Sequence, residues 1–183
     1  PKIFSCLFQM NSSKDLLVIT ASNGENLKLA NRFIQISKEL EVQSELLDLT
    51  TIDLPLYNPR THLANGIPQA AVLLSQHMKS IPRWVICAPE YNGSIPPVFT
   101  SALAWLSVQD EDFRDLFNGR PIAMASFSGG GGMELLISLR IQLPHLGAQV
   151  VGRQLMSNHS KPAKDSSITD LLQRLLQMQP IES

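Results

Sequence analysis

Apolar residues along the chain alternate between two rhythms. Residues 16 to 21, LLVITA, form a short continuous apolar run between polar neighbours, the pattern of a strand covered on both faces. From 25 to 40 the spacing changes: Leu27, Ala30, Phe33, Ile34 and Leu40 recur at helical steps with Lys28, Arg32 and Lys38 between them. The alternation then repeats, with SELLDL (44 to 49) as a strand, a helix within 66 to 79, WVICA (84 to 88) as a strand and a helix over 95 to 107 that buries Phe99, Ala102, Leu103 and Leu106. PIAMASF (121 to 127) predicts a fourth strand, followed by a helix over 133 to 146 closed by Gly147, and AQVVG (148 to 152) a fifth. The last helix, 167 to 178, opens with Ser167 and Asp170 spaced as a variant capping box.

Five strands alternating with five helices call for a parallel sheet between two helix layers, because parallel strands need crossover connections. This is a three-layer α/β/α domain, expected over residues 14–180, with 1–13 as an N-terminal appendage. In such sheets ligands bind beyond the carboxyl ends of the strands, which directs attention to the loops after strands one, three and four. The first is TASNGEN, containing Thr20, Ser22, Asn23, Gly24 and Asn26. It fits either an ordinary strand-to-helix loop capped by Ser22 or Asn23 or an anion site built from free N–H groups at a helix start. The second is PEYNG (Pro89, Glu90, Tyr91, Asn92, Gly93), where Gly93 lets the backbone approach a flat ligand, or simply makes a turn. The third is SFSGGGGM, with Ser128, Gly129 and Gly130 at the head of four consecutive glycines. So much glycine between a strand and its crossover helix implies positive φ or contact with something large. Together the loops describe a crevice for a phosphorylated planar cofactor.

Composition narrows the partners. The chain of 183 residues is 44% hydrophobic and 17% charged, enough to bury one sizeable core. Fifteen basic and sixteen acidic residues give a net charge of -1 with no cationic cluster, so neither nucleic acid nor a membrane surface is an expected partner. No apolar run reaches the roughly 18 residues that span a bilayer, and the opening residues lack the pattern of a signal peptide. Cys6 and Cys87 fit no disulfide framework and read as reduced thiols of a cytoplasmic protein. His62, His77, His145 and His159 show no metal-ligand spacing. SFSGG lacks the glycine that precedes the serine of a nucleophile elbow, which argues against a hydrolase.

The motifs PEYNGSIP, DLTTIDLPLYNP (48 to 59), SGGGG and HLGA (145 to 148) together resemble the NAD(P)H-dependent FMN reductase family, flavodoxin-like proteins that include quinone and azo-dye reductases. The resemblance implies a flavodoxin-like fold with a five-stranded sheet in the order 2-1-3-4-5. It also implies that Thr20, Ser22, Asn23, Gly24 and Asn26 cradle the FMN phosphate, that Pro89, Glu90, Tyr91, Asn92 and Gly93 line the isoalloxazine, and that Ser128, Gly129 and Gly130 support the ring from the other side. Hydride would pass from NADPH or NADH to FMN and on to a quinone, azo compound or similar small-molecule acceptor, with the flavin rather than any protein residue as the catalytic group. The family's first loop is longer and carries an arginine, and its helix after the signature carries Lys-Asn and an acidic residue where this chain has Thr100, Ser101 and Ala104. These departures keep open a second reading, an FMN-binding electron-transfer or regulatory protein with little NAD(P)H turnover. A homodimer or homotetramer is expected, with the segment 53 to 63 and the helix carrying Trp105 near the contact.

Overall fold

The computed structural model describes residues 14–109 and 111–181, so the expected appendage, with Cys6, lies outside the described residues. In chain order the elements are β1 (Leu16–Thr20), α1 (Glu25–Glu39), β2 (Ser44–Asp48), a 3-10 turn (Leu49–Thr51), α2 (Pro59–Asn65), α3 (Gln69–Lys79), β3 (Arg83–Cys87), α4 (Pro97–Ser107), β4 (Pro121–Phe127), α5 (Met133–His145), β5 (Gln149–Val150), β6 (Leu155–Ser157) and α6 (Asp165–Gln177). The sheet runs β2-β1-β3-β4-β5, with β6 also on β4, and every pairing is parallel.

Period-2 alternation of the strands divides the core in two. Leu17 and Ile19, Trp84 and Ile86, and Ile122 and Met124 pack with residues of α3, α4 and α5 on one face. Their neighbours Leu16, Val18, Val85, Cys87, Ala123 and Ala125 pack with α1 and α6 on the other. Both faces are covered, which is why these strands read as unbroken apolar runs. In register, Thr20 lies opposite Cys87 and Cys87 opposite Ala125, so β1 and β3 end level, β4 runs two residues further to Phe127, and all three release their loops at one edge.

Several expectations change. The sheet has six strands among the described residues, not five, because the expected fifth strand is only two residues long and the chain pairs with β4 again at Leu155–Ser157. Between the two pieces Arg140 of α5 donates through Nη2 to the carbonyls of Val151 (3.1 Å) and Gly152 (3.4 Å), satisfying groups that a continuous strand would have paired. Helix α2, which buries no residue, has no apolar stripe by which its sequence could announce it. Helix α6 begins at Asp165 after Lys164, so the expected capping box is absent; Asp170 instead accepts from Arg174 Nε at 2.9 Å and Arg153 Nη1 at 2.6 Å. Gly147 does close α5: at φ +90° its N–H reaches Pro144 O and the N–H of Ala148 reaches Leu143 O, the paired bonds of a Schellman ending.

Cys87 is fully buried at the end of β3, and burial pushes its thiol well above the ordinary range. The thiolate is the reactive form. Native protein treated with iodoacetamide at pH 8 is therefore expected to leave the Cys87 peptide unmodified in mass mapping, and to label it on addition of denaturant. Labelling under native conditions would mean that this strand end opens.

Candidate functional site

The candidate site is the edge beyond β1, β3 and β4, where Asn26 ties the first loop to the end of β4 and Glu90 ties the second to the start of α5. In the first loop Thr20 is fully buried, and its hydroxyl donates to Ser22 O (2.9 Å) and accepts from Ser22 N (3.4 Å), folding the turn back on the strand. Helix α1 starts on Gly24 with no side-chain cap, so neither Ser22 nor Asn23 acts as the N-cap considered from sequence. Asn23 and Gly24 are exposed, and Asn26 is buried. The Asn26 amide is committed: Nδ2 donates to Phe127 O and Oδ1 accepts from Phe127 N, both at 2.8 Å.

The second loop leaves β3 through buried Pro89. Tyr91 N donates to Ser94 O and Ser94 N to Tyr91 O, at 3.1 and 3.0 Å, while Asn92 and Gly93 stand at φ +53° and +66°. Positive φ at both central residues defines a type I′ turn, for which Asn-Gly is the favoured pair. Tyr91, Asn92 and Gly93 are exposed, and a Cβ built on Gly93 would meet nothing within 4 Å, so the space above the turn is open. Glu90 turns the other way: its Oε2 accepts from Leu135 N at the start of α5 (3.2 Å).

In the third loop Ser128 N donates to Ser157 O (3.0 Å) and Gly131 N to Ser128 O (2.9 Å), with Gly129 and Gly130 exposed at the tip. The glycines that need positive φ are Gly131 (+95°) and Gly132 (+79°), two residues further along than the pair singled out from sequence. Gly132 also lies against β4, where an added Cβ would come within 2.4 Å of Ser126 Oγ. Ser126 is fully buried, and its hydroxyl has no hydrogen-bond partner among the described residues. Beyond β6, the His159 ring meets Phe127 edge-on, with centroids 4.9 Å apart, and the Glu25 carboxyl is held below the ordinary range chiefly by its hydrogen bond to Lys28.

The thirteen sequence-derived site residues thus lie in three loops at one edge or directly beside them, Thr20 at the end of β1 and Asn26 in the first turn of α1. Among the described residues, the main-chain N–H groups of Asn23, Gly24, Asn92, Gly93, Gly129 and Gly130 donate to no other main-chain group. This donor set, all N–H at exposed loop tips and a helix start, suits a ligand with a phosphate at one end and carbonyl and ring-nitrogen acceptors at the other. No metal-binding group of His, Cys, Asp or Glu exists among the described residues. Sequence reading missed the Ser126–Gly132 contact and the true partner of Asn26, both made by residues distant in sequence or hidden by glycine.

A parallel sheet in this order between helix layers defines a flavodoxin-like fold. The chain belongs to the NADPH-dependent FMN reductase family, whose family model matches residues 15–162. It is 31% identical over 104 residues to a quinone reductase of Escherichia coli K12, covering 55% of this chain and 53% of the relative. To the NADH:(hydroxy)cinnamate reductase subunit CrdA of Vibrio ruber it is 28% identical over 116 residues, 62% of this chain and 54% of that one. The chain thus spans about half the length of the curated relatives it matches. Among solved structures, the FerB flavoenzyme NAD(P)H:(acceptor) oxidoreductase of Paracoccus denitrificans superposes with a TM-score of 0.73 at 20% identity, covering 90% of this chain and 96% of FerB. An oxidoreductase of Corynebacterium diphtheriae gives 0.69 at 14% identity, covering 94% and 100%. These two likenesses carry the fold.

The two glycine environments generate a test. Gly132→Ala places a methyl at positive φ and against Ser126, so it is expected to cost at least about 2 kcal/mol, the sum of αL strain and a forced shift. Gly129→Ala meets open space and is expected to change stability by no more than about 0.5 kcal/mol. Urea unfolding of both variants measures the contrast, and equal midpoints would contradict the geometry of this loop.

Proposed function

We propose that this protein is an FMN-containing oxidoreductase that uses NADPH or NADH to reduce a quinone, azo compound or similar acceptor in the same cleft. The observation that carries the proposal is the set of three loops tied to one another at one sheet edge, with unengaged N–H donors at their tips and open space above the Tyr91–Ser94 turn. When bound, FMN supplies the redox chemistry, accepting a hydride from the nicotinamide and giving two electrons to the acceptor. The residues of this chain place it. The N–H groups of Asn23 and Gly24, at the positive end of α1, are the donors for its phosphate. Thr20 and Ser22 brace that turn, and Asn26 acts indirectly by fixing the first loop to the third. The backbone of Asn92 and Gly93 lines one side of the ring and leaves its outer face free for stacking, and Ser128, Gly129 and Gly130 flank it on the other. No side chain is assigned a proton transfer. Among the described residues, no helix is long and apolar enough to cross a membrane.

Saturating FMN, at about a hundred times its dissociation constant, is expected to stabilise the protein by roughly 2.7 kcal/mol, a melting rise of about 5 to 10 °C. Anaerobic NADPH or NADH is expected to bleach the bound flavin and a small quinone to restore it. Gly93→Val, which brings a β-branched side chain to positive φ in the open space above the turn, should abolish both flavin binding and turnover. Flavin that stays oxidised for minutes in millimolar NADPH and NADH would instead assign the protein to the electron-carrier reading. Absence of any melting rise would remove the cofactor itself.

The same proposal includes a homo-oligomer. Trp105 is not available to a partner: it is buried, its indole donates to Pro55 O at 2.7 Å, and Tyr57 meets it edge-on. What the docked segment leaves outside is Leu56, 75% exposed, and Leu63, 89% exposed, the apolar side chains it offers to a second copy. Sedimentation is expected to give a dimer or tetramer mass, and replacing both leucines by Asp should shift it towards the monomer. A monomer mass at all concentrations rules the assembly out.

A further inference from the structure

The start of α5 poses a problem of capping. The first N–H groups of a helix have no partner within it, and a Ser, Thr, Asp or Asn at the N-cap ordinarily supplies one. Here the N-cap is Gly132, at φ +79° and ψ +24°, and it makes no side-chain bond. No such residue fits there, since even a Cβ would stand 2.4 Å from Ser126 Oγ and 2.8 Å from Ser126 Cβ, atoms of a buried strand that cannot withdraw. The close approach of the glycine loop to β4 therefore excludes a local cap.

The N–H of Leu135, third residue of α5, is met instead by Glu90 Oε2 at 3.2 Å, from 45 residues earlier in the chain. Its other oxygen lies beside the glycine loop, 3.7 Å from where a Gly130 Cβ would stand. We propose that Glu90 is the surrogate N-cap of α5, a positioning residue through which the loop after β3 fixes the conformation of the glycine loop. A carboxylate at this end of a helix also faces the positive end of its dipole. The inference rests on the reading of these loops as the FMN site for its consequence, though not for the contact itself: the two walls of the cleft are set relative to each other by one side chain. Glu90 is thus assigned a task distinct from lining the flavin, which the resemblance gave it.

The test separates capping from cofactor contact by using two variants and two readouts. Glu90→Gln keeps an oxygen acceptor for Leu135 N, and Glu90→Ala removes it. In FMN-free protein, amide exchange at residues 133–136 is expected to accelerate at least tenfold in Glu90→Ala and to stay within about threefold of wild type in Glu90→Gln. FMN affinity should follow the same order, falling about tenfold in the alanine variant and being retained in the glutamine variant. Unchanged exchange at Leu135 in Glu90→Ala, or exchange accelerated as much by glutamine as by alanine, overturns the proposal. If wild-type protein took up no FMN, the cofactor reading would fall, and the exchange measurement on the FMN-free chain would still decide whether Glu90 is the cap.

Discussion

The side chain of Asn26 finishes a strand that its neighbours abandon. Beyond Cys87, β3 turns away into the Pro89–Gly93 loop, and the last main-chain bond between the two strands on that side is Ala88 N to Ala125 O. Phe127, two residues further along β4, would be left with an N–H and a C=O facing nothing. Both are taken by the Asn26 amide, whose donor and acceptor reproduce what an adjoining strand would offer. Each orphaned buried group would cost about 1–3 kcal/mol, a large part of the marginal stability of a domain this size. The other constraints of the site follow from it. With Phe127 held, Ser126 and Ser128 face the opposite neighbour, accepting from Ser157 Oγ and donating to Ser157 O, and the glycine loop leaves β4 in one fixed direction.

That the tie is a side chain rather than a strand has a consequence for chemistry. A continued ladder would fill the edge with backbone and close the crevice. One amide on the first turn of α1 secures the same groups from below and leaves the loop tips free. The first loop, held at Asn26, and the second, held through Glu90 to α5, both converge on the third. Rigid roots and unengaged tips are the arrangement a flat phosphorylated ligand requires, since its affinity depends on donors that are already in place and not satisfied by one another.

Much of this was legible in the sequence, for identifiable reasons. β1, β3 and β4 are covered on both faces and so appear as continuous apolar runs, and α1, α5 and α6 bury stripes at helical spacing. The Asn-Gly pair names its own turn type. What escaped was either too short to have a period, as with the pieces β5 and β6 or the unburied α2, or was decided by residues far apart in the chain. Asn26 reads as a residue for a phosphate because its partner is 101 positions away, and Glu90 reads as part of a ring-binding turn because the helix it meets begins beyond the glycines. Local rules for helix starts failed at α1, α5 and α6 alike; each of these helices begins without a side-chain cap of its own.

The backbone cost of the site is concentrated where those ties are strongest. Of the eight residues with positive φ among those described, Asn92, Gly93, Gly131 and Gly132 lie in the second and third loops. Glycine occupies the left-handed region with little strain, and asparagine is among the few other residues that tolerate it. The remaining cost at Asn92, about 1 kcal/mol, is offset by the reciprocal bonds between Tyr91 and Ser94. At Gly132 the reason differs: the conformation is needed so that the helix can start directly against Ser126, which leaves no room for a side chain and moves the cap to another loop. One residue type thus answers two separate physical demands within the same edge. A substitution that relieved the first by filling the space above Gly93 would obstruct the crevice, and one that filled the second would displace the helix that forms its wall.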